Sequence, residues 1–519
     1  MKEQSPSQEE AVQKKASQEG VQLKGDELEG GSPEKSKGIM YYIHIAIGLS
    51  IMFGFGHLLE PFGELTRMGM QIVGVFLGAI YLWTIVSIIW PSILGLVALS
   101  FTDYYPNIAA VVRDGFGDNI VVALLFVMIL FGVLDHLGVT NYIARWFLTR
   151  KVLNGRPYVF SFILMYCAHI IALAANPLSA VIVMWAVLYA TLRELGFSKT
   201  DKYSTLMVIG IFWAGISGQA NIPFTGSTLA LVGAFRRITE LDIAYVPFII
   251  YGLIVGVLIN VLFVLIMKYI FRPDVDKLVK VNIEMFNRNP LPPMDIKQKI
   301  SFTTLFTFMT LLMLPTFFER GTVPVIDMLA SLGVHGIAMI HVAILLLIHI
   351  DGKPILNLPI ILSKYVAWPV FFLVALAQPV AGAIVQPEMG ILATITVVFE
   401  PILGGHSAGV FSGMMIVITM IITQLTNNVV IGTLMMPLIY VFGTPLDIYI
   451  PALTTAMIYT VHVAILLPAA SAFAPLLWGN REWVSPKDII KYAGLVTIFT
   501  TIMMAVIGVP LANFIFSLF

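Results

Sequence analysis

The feature that most constrains this chain is a series of apolar segments that recurs almost from its beginning to its end. Residues 41–55, 121–133, 248–266 and 495–509 contain no Asp, Glu, Lys or Arg. A bilayer core of about 30 Å is crossed by about 20 helical residues. The composition agrees, because the chain is 58% hydrophobic and only 12% charged, with a mean hydropathy of +0.90. The sequence therefore predicts an all-α polytopic membrane protein.

Two of the apolar segments contain a break in the middle and are predicted to be re-entrant hairpins. Residues 160–192 are interrupted at Asn176-Pro177, and residues 408–440 at Asn427-Asn428. Counting these as hairpins leaves about 11 full transmembrane helices. It also places most of the 30 Lys and Arg residues on one side, which is cytoplasmic by the positive-inside rule. Only the following remain outside: Arg67, Arg113, Arg236, Arg237 and Arg320.

The two halves of the chain are similar, which predicts an inverted repeat. Each hairpin is followed by a span that small and helix-breaking residues interrupt, at 218–228 in the first half and at 468–475 in the second. Breaks at matching places in two halves indicate a transporter site near the bilayer midplane. Ordinary helix kinks with asparagines joining neighbouring helices are the alternative.

The predicted domain organisation follows these halves. Residues 1–38 are a disordered cytoplasmic tail, and residues 273–299 are a cytoplasmic linker. Residues 39–159 and 300–404 are scaffold helices, while residues 160–272 and 405–519 are transport elements, each with a hairpin and a broken helix. The net charge is zero, so the overall charge balance indicates no partner, and nucleic acid is not expected.

The residues at the breaks favour binding of an anion together with a cation. Half-helix N-termini carry partial positive charge and attract anions, while freed carbonyl oxygens suit sodium. Asn176, Asn427 and Asn428 supply both donors and acceptors. No charged residue lies in the tip segments. Asp135 is expected to lie toward the inner end of its span, either at the membrane interface or paired within the scaffold.

Other reactive residues give weaker predictions. His169 and His462 are candidates for a proton carrier or a substrate ligand, although packing histidines are the simpler interpretation. The single cysteine, Cys167, excludes a disulfide framework. No enzyme motif is present, so an enzyme is not predicted.

The chain resembles the divalent anion:sodium symporter family, which carries dicarboxylates, citrate and sulfate, within the ion transporter superfamily. Its Ser-Asn-Thr hairpin signatures align with Ala175-Asn176-Pro177 and Asn427-Asn428-Val429, and its later breaks align with Gly226-Ser227-Thr228 and Ala470-Ser471-Ala472. Pro177 and Val429 stand where the family has threonine. The resemblance covers nearly all of residues 40–519 and implies a homodimer whose transport domain moves like an elevator against a scaffold.

The predicted site combines these residues. The substrate-binding set is Asn176, Ser179, Ser227, Thr228, Asn427, Asn428 and Ser471. The sodium-binding set is Asn176, Thr225, Gly226, Thr423, Thr426, Asn428 and Ala470. The second-half sodium site is expected to be the stronger, because Ala175 and Pro177 bring no side-chain oxygen to the first.

The predicted function is secondary active transport of a small organic or inorganic anion, di- or tricarboxylate-like, across the plasma membrane. Coupling to sodium is expected, with a proton as the alternative. Two other functions stay open: a proton-coupled or antiporting permease of the same superfamily, such as an arsenite-type carrier or cation/proton antiporter, and an uncoupled anion channel.

Overall fold

The computed structural model of the protein describes residues 38–150, 152, 154–174, 176–281, 292–319, 321–468 and 470–519. The predicted tail up to residue 37, Ala175 and part of the predicted linker lie outside these ranges. The chain is almost wholly helical in the described residues. Its one sheet is a two-stranded antiparallel hairpin of β1 (His349–Ile350) and β2 (Lys353–Pro354).

Among the described residues, the first half contains eleven main helices. In order they are α1 (Ile39–Leu58), α2 (Arg67–Ile85), α3 (Ile89–Leu99), α4 (Ile108–Phe116), α5 (Asn119–His136), α6 (Val139–Leu148), α7 (Pro157–Ala174), α8 (Pro177–Glu194), α9 (Lys202–Gly218), α10 (Gly226–Thr239) and α11 (Tyr245–Phe271). Short 3₁₀ turns follow at Gln219–Asn221 and Asp276–Lys280.

The second half contains ten main helices among the described residues. They are α12 (Ile296–Phe317), α13 (Pro324–Leu347), α14 (Leu358–Lys364), α15 (Trp368–Ile384), α16 (Ile391–Leu403), α17 (Ala408–Thr423), α18 (Asn428–Leu446), α19 (Ile450–Val461), α20 (Ala474–Gly479) and α21 (Pro486–Phe516). A 3₁₀ turn precedes α16 at Pro387–Met389.

Small residues allow the first two helices to pack at close range. A Cβ atom added to Gly56 of α1 would lie 2.4 Å from the Cα of Gln71 in α2. One added to Gly78 would lie 2.6 Å from the Cα of Met52. Because lipid gives apolar helices no hydrophobic reason to associate, such close backbone contact is a main source of packing energy in membranes.

The predicted fold class is confirmed. Nine helices in the described residues are long and apolar enough to span a membrane, or up to twelve if each bent pair counts as one span. The predicted span at residues 119–145 divides in two, because α5 ends at His136 and the chain turns at Gly138, where φ is +68°. Helix α16 was not predicted. The inverted repeat stays a prediction.

Both predicted hairpins are present. Helices α7 and α8 meet at Asn176 and pack against each other, and α17 and α18 do the same at Asn427. The span after each hairpin is broken as predicted. Helix α9 is followed by a 3₁₀ turn and a bend of 40° before α10, and α19 stops at Val461, well before α20 begins. The assignment of these elements to scaffold and transport domains stays a prediction.

Candidate functional site

The first hairpin tip is built around Asn176, which caps the N-terminus of α8. The following proline disfavours the helical conformation at Asn176, so its backbone is extended, with φ −69° and ψ 134°. Its side-chain Oδ1 accepts a hydrogen bond from the backbone N–H of Leu178 at 2.9 Å. Pro177 occupies the first helical position, where a missing N–H does not matter.

The second hairpin tip has the same capping arrangement. Asn427 Oδ1 accepts from the backbone N–H of Val429 at 2.9 Å, and Asn428 Oδ1 lies 3.1 Å from the same nitrogen. Both asparagines are buried. The two tips therefore each present a half-helix N-terminus, the end of a helix that carries partial positive charge.

The first break is stabilised by side chains on both of its sides. Gly226 starts α10 with φ +48°, a left-handed conformation that glycine adopts without strain. Thr228 Oγ1 donates to the backbone carbonyl of Gln219 at 3.0 Å, and Ser227 Oγ donates to Gln219 Oε1 at 3.2 Å. The amide nitrogen Nε2 of Gln219 is buried without a hydrogen-bond partner among the described residues.

The second break is held by Gln424, a residue that the sequence analysis did not single out. Its Nε2 donates to the carbonyl of Val463 at 2.7 Å. Its Oε1 accepts from the backbone N–H groups of Ile465 at 3.0 Å and Leu466 at 3.1 Å. One glutamine from the second hairpin thus satisfies three of the backbone groups that the interrupted helix leaves free, as buried polar groups require.

His462 connects the two breaks. Its Nδ1 lies 2.7 Å from the carbonyl of Ile458, so this nitrogen is the donor. Its Nε2 faces Ser227 Oγ at 2.9 Å and Thr228 Oγ1 at 3.4 Å. His169 lies elsewhere, with Nε2 2.7 Å from the amide nitrogen of Asn221 and Nδ1 3.2 Å from the carbonyl of Ala214. Of these two histidines, His462 is therefore the one that joins elements of the two halves.

The hairpin tips and the breaks surround a common cavity. Helices α5 and α15 form its other walls, through Phe131, Asp135 and Val370 among others. Six predicted site residues line it: Asn176, Thr225, Gly226, Ser227, Asn427 and Asn428. The predicted hairpins and breaks thus converge on one cavity.

The other predicted site residues are not among those that line the cavity. Ser179 donates to Asp135, and Thr228 contacts Gln219 as described. Thr423 donates to the carbonyl of Val461 at 3.0 Å, and Thr426 Oγ1 lies 2.5 Å from Thr84 Oγ1 of α2. Ser471 Oγ accepts from the backbone N–H of Ala474, and Ala470 is fully buried beside it.

Asp135 makes its hydrogen bonds to the first hairpin, and not to the segments predicted to be scaffold. Its Oδ2 accepts from Ser179 Oγ at 2.9 Å and from the backbone N–H of Asn176 at 3.3 Å. Its Oδ1 is buried without a hydrogen-bond partner among the described residues. Among the described residues that line the cavity, Asp135 alone is charged. A carboxylate inside an apolar span was the sequence signal for this contact, because such residues usually mark a functional site.

The chemistry of the site suits ions that need oxygen ligands and backbone donors. No group of three or more His, Cys, Asp or Glu side chains in the described part of the chain could hold a metal ion. The available ligands are hydroxyl, amide and carbonyl oxygens and the Asp135 carboxylate. These hard donors suit a sodium ion and not a transition metal.

Paired hairpins, broken helices and a shared cavity within many candidate spans are the features of a polytopic membrane transporter. Comparison with protein families identifies the family of this transporter, because the citrate transporter model (CitMHS) matches residues 78–462. The chain belongs to the citrate transporter family. The predicted resemblance is thereby confirmed, and the class is that of transporters of citrate and similar anions.

Comparison with solved structures finds a similar fold. The fold is similar to that of the YdaH transporter from Alcanivorax borkumensis, with a TM-score of 0.52. The match covers 76% of this chain and 86% of that transporter, at 15% sequence identity. No curated protein sequence matches this chain significantly.

Proposed function

We propose that this protein is a secondary active carrier of a di- or tricarboxylate-like anion, coupled to sodium. The observation that carries the proposal is the convergence of two half-helix N-termini and two broken helices on one cavity. The citrate transporter family supports the anion class. The carrier would act as a homodimer in the plasma membrane, with its N-terminus in the cytoplasm.

The donors around the cavity support recognition of carboxylates. Besides the two helix N-termini, the buried Nε2 of Gln219 is a donor without a partner among the described residues. A substrate carboxylate can accept from it and satisfy a group that is costly to leave unpaired. Asn176 and Asn428 amides supply further donors on opposite hairpins.

Sodium coupling rests on the oxygens beside the tips. In the second half, Thr423 and Asn428 oxygens and the carbonyls near Ala470 are the proposed ligands. In the first half, Asn176 and the backbone near Thr225 and Gly226 fill the same role. A cation bound beside the substrate offsets its negative charge, which a cavity without Lys or Arg among its described lining residues does not do.

An elevator motion of the hairpins against the scaffold is the proposed mechanism. Among the described residues, few side-chain hydrogen bonds join the hairpins to α2 and α5, so few would have to break during the motion. The second hairpin contacts α2 through Thr426 and Thr84, and the first contacts α5 through Ser179 and Asp135. At the opposite end of α5, Arg237 of α10 pairs with Asp118 at 2.7 Å.

Uptake into proteoliposomes tests the proposal. We expect citrate or a dicarboxylate to accumulate when an inward sodium gradient is imposed, with sulfate and amino acids as the comparison substrates. Uptake that ignores sodium and follows a proton gradient would favour the proton-coupled permease, with His462 as the carrier candidate. Flux that never exceeds the substrate gradient would indicate a channel.

A further inference from the structure

The cavity proposed to bind an anion contains a carboxylate that is only half satisfied. Asp135 Oδ2 has two donors, Ser179 Oγ and the backbone N–H of Asn176. Asp135 Oδ1 is shielded from solvent and has no hydrogen-bond partner among the described residues. Asp135 also takes part in none of the ion pairs among the described residues. A buried, ionised carboxylate oxygen without a partner is unfavourable, and either a bound cation or a proton relieves it.

The substrate makes this need stronger. Two negative charges in one cavity repel each other, because a low local dielectric weakens their screening. The anion and the bare Asp135 carboxylate are therefore incompatible neighbours. Something positive has to accompany the anion, and the unpaired Oδ1 shows where.

We propose that Asp135 is the charged ligand of a sodium ion bound at the first hairpin tip, a reading that rests on the proposed function. The remaining ligands come from Asn176, Thr225 and Gly226, which line the same cavity. With Asp135 included, the first site gains the formal charge that its tip sequence lacks. It becomes the stronger of the two sodium sites, contrary to the expectation from sequence.

The position of Asp135 also gives a coupling mechanism. Asp135 belongs to α5, whereas Asn176 begins α8 of the hairpin. The site is complete only while these two elements touch. If the hairpin moves relative to α5, the ion loses its charged ligand and is released. Sodium release therefore requires the conformational change.

The competing interpretation is a structural one, in which Asp135 only tethers the hairpin. A carboxylate that accepts from a helix N-terminus stabilises that terminus without any ion. This accounts for Oδ2 but leaves Oδ1 unexplained. Ser179→Ala and Asp135→Asn separate the two readings, because the first removes a tether bond and keeps the charge, whereas the second removes the charge.

Equilibrium binding of ²²Na⁺ to the purified full-length protein is the test. For Asp135→Asn we expect the sodium bound at saturation to fall by one ion per chain, while Ser179→Ala retains it and Asp135→Glu retains at least part of it. Unchanged sodium stoichiometry in Asp135→Asn, or an equal loss in Ser179→Ala, would overturn the proposal. So would a wild-type protein that binds protons but no sodium at this tip.

The binding measurement does not depend on transport, so the two proposals can fail separately. A wild-type protein that binds sodium through Asp135 but takes up none of the tested anions would contradict the proposed function alone. If Asp135→Asn transports citrate with sodium as well as the wild-type protein does, the Asp135 site alone would be contradicted.

Discussion

At the scale of single residues, the hairpin asparagines combine a structural role with a proposed binding role. Asn176→Ala removes an N-cap, which costs about 1 kcal/mol of stability, and also the proposed ligand. We expect it to abolish anion uptake while the protein stays folded, with Asn428→Ala behaving alike. Asn176→Ser is the matched control, because serine also caps helices. Uptake lost in Asn176→Ala but fully recovered in Asn176→Ser would show that the cap alone matters.

Gln219 offers a second test at this scale. Its buried Nε2 has no partner among the described residues, while its Oε1 accepts from Ser227. Gln219→Glu keeps the shape and the acceptor but replaces the free donor with negative charge. We expect weaker anion binding, seen as a raised KM for uptake, because the carboxylate repels the substrate. An unchanged KM would remove Gln219 from the substrate site.

The sequence predicted part of this site and missed part of it, for a physical reason. Asn176, Asn427 and Asn428 stand next to helix breaks, and such local features can be read from neighbouring residues. Asp135 and Gln424 contact the site across 41 and about 40 residues of chain, respectively. Their roles depend on which helices pack together, which hydrophobic periodicity does not specify. The lone carboxylate in an apolar span was the one available sign.

At the scale of elements, the hairpins and broken helices were predicted because Pro, Gly and Asn interrupt apolar runs that would otherwise span the bilayer. Shorter elements were harder to predict. Helix α3 has only 11 residues and α16 has 13, so hydropathy over a membrane-length window does not resolve them. The bend between α9 and α10 is only 40°, whereas the chain bends by 104° between α16 and α17.

The ion pair between α5 and α10 is the link whose loss should move these elements. Asp118 caps α5, and its other carboxylate oxygen binds Arg237 near the end of α10. Arg237→Gln leaves the partly buried Asp118 without its cation, at a cost of roughly 1–3 kcal/mol. We expect the outer contact to loosen, so that a cysteine at Ser227 in a Cys167→Ser background reacts faster with an impermeant thiol reagent added outside. Arg236→Gln is the control, because its partner Asp242 is exposed. Equal rates in the two variants would contradict a gating role.

At the scale of the whole molecule, the charge distribution fixes the predicted orientation. The basic segments around Lys37, Arg288 and Lys487 should all lie inside, and Glu240 and Phe519 outside. Single cysteines at these positions, in a Cys167→Ser background, should react accordingly with impermeant reagents in intact cells. External reaction at Arg288→Cys would mean that one hairpin crosses the membrane completely, because every later segment would then change sides.

The elevator mechanism makes a prediction about the contact between the second hairpin and α2. Thr84 and Thr426 hydroxyls are 2.5 Å apart, so cysteine sulfurs in their place lie within reach of a disulfide bond of about 2.05 Å. If the hairpin slides past α2 in each cycle, Thr84→Cys/Thr426→Cys should lose uptake on oxidation and regain it on reduction. The reason is that one covalent bond then joins the moving element to the fixed one. Each single variant is a control for the substitution itself, since it cannot form the bond. A cross-linked protein that still accumulates substrate would show that α2 and the second hairpin move together, and the moving boundary would have to lie elsewhere in the molecule.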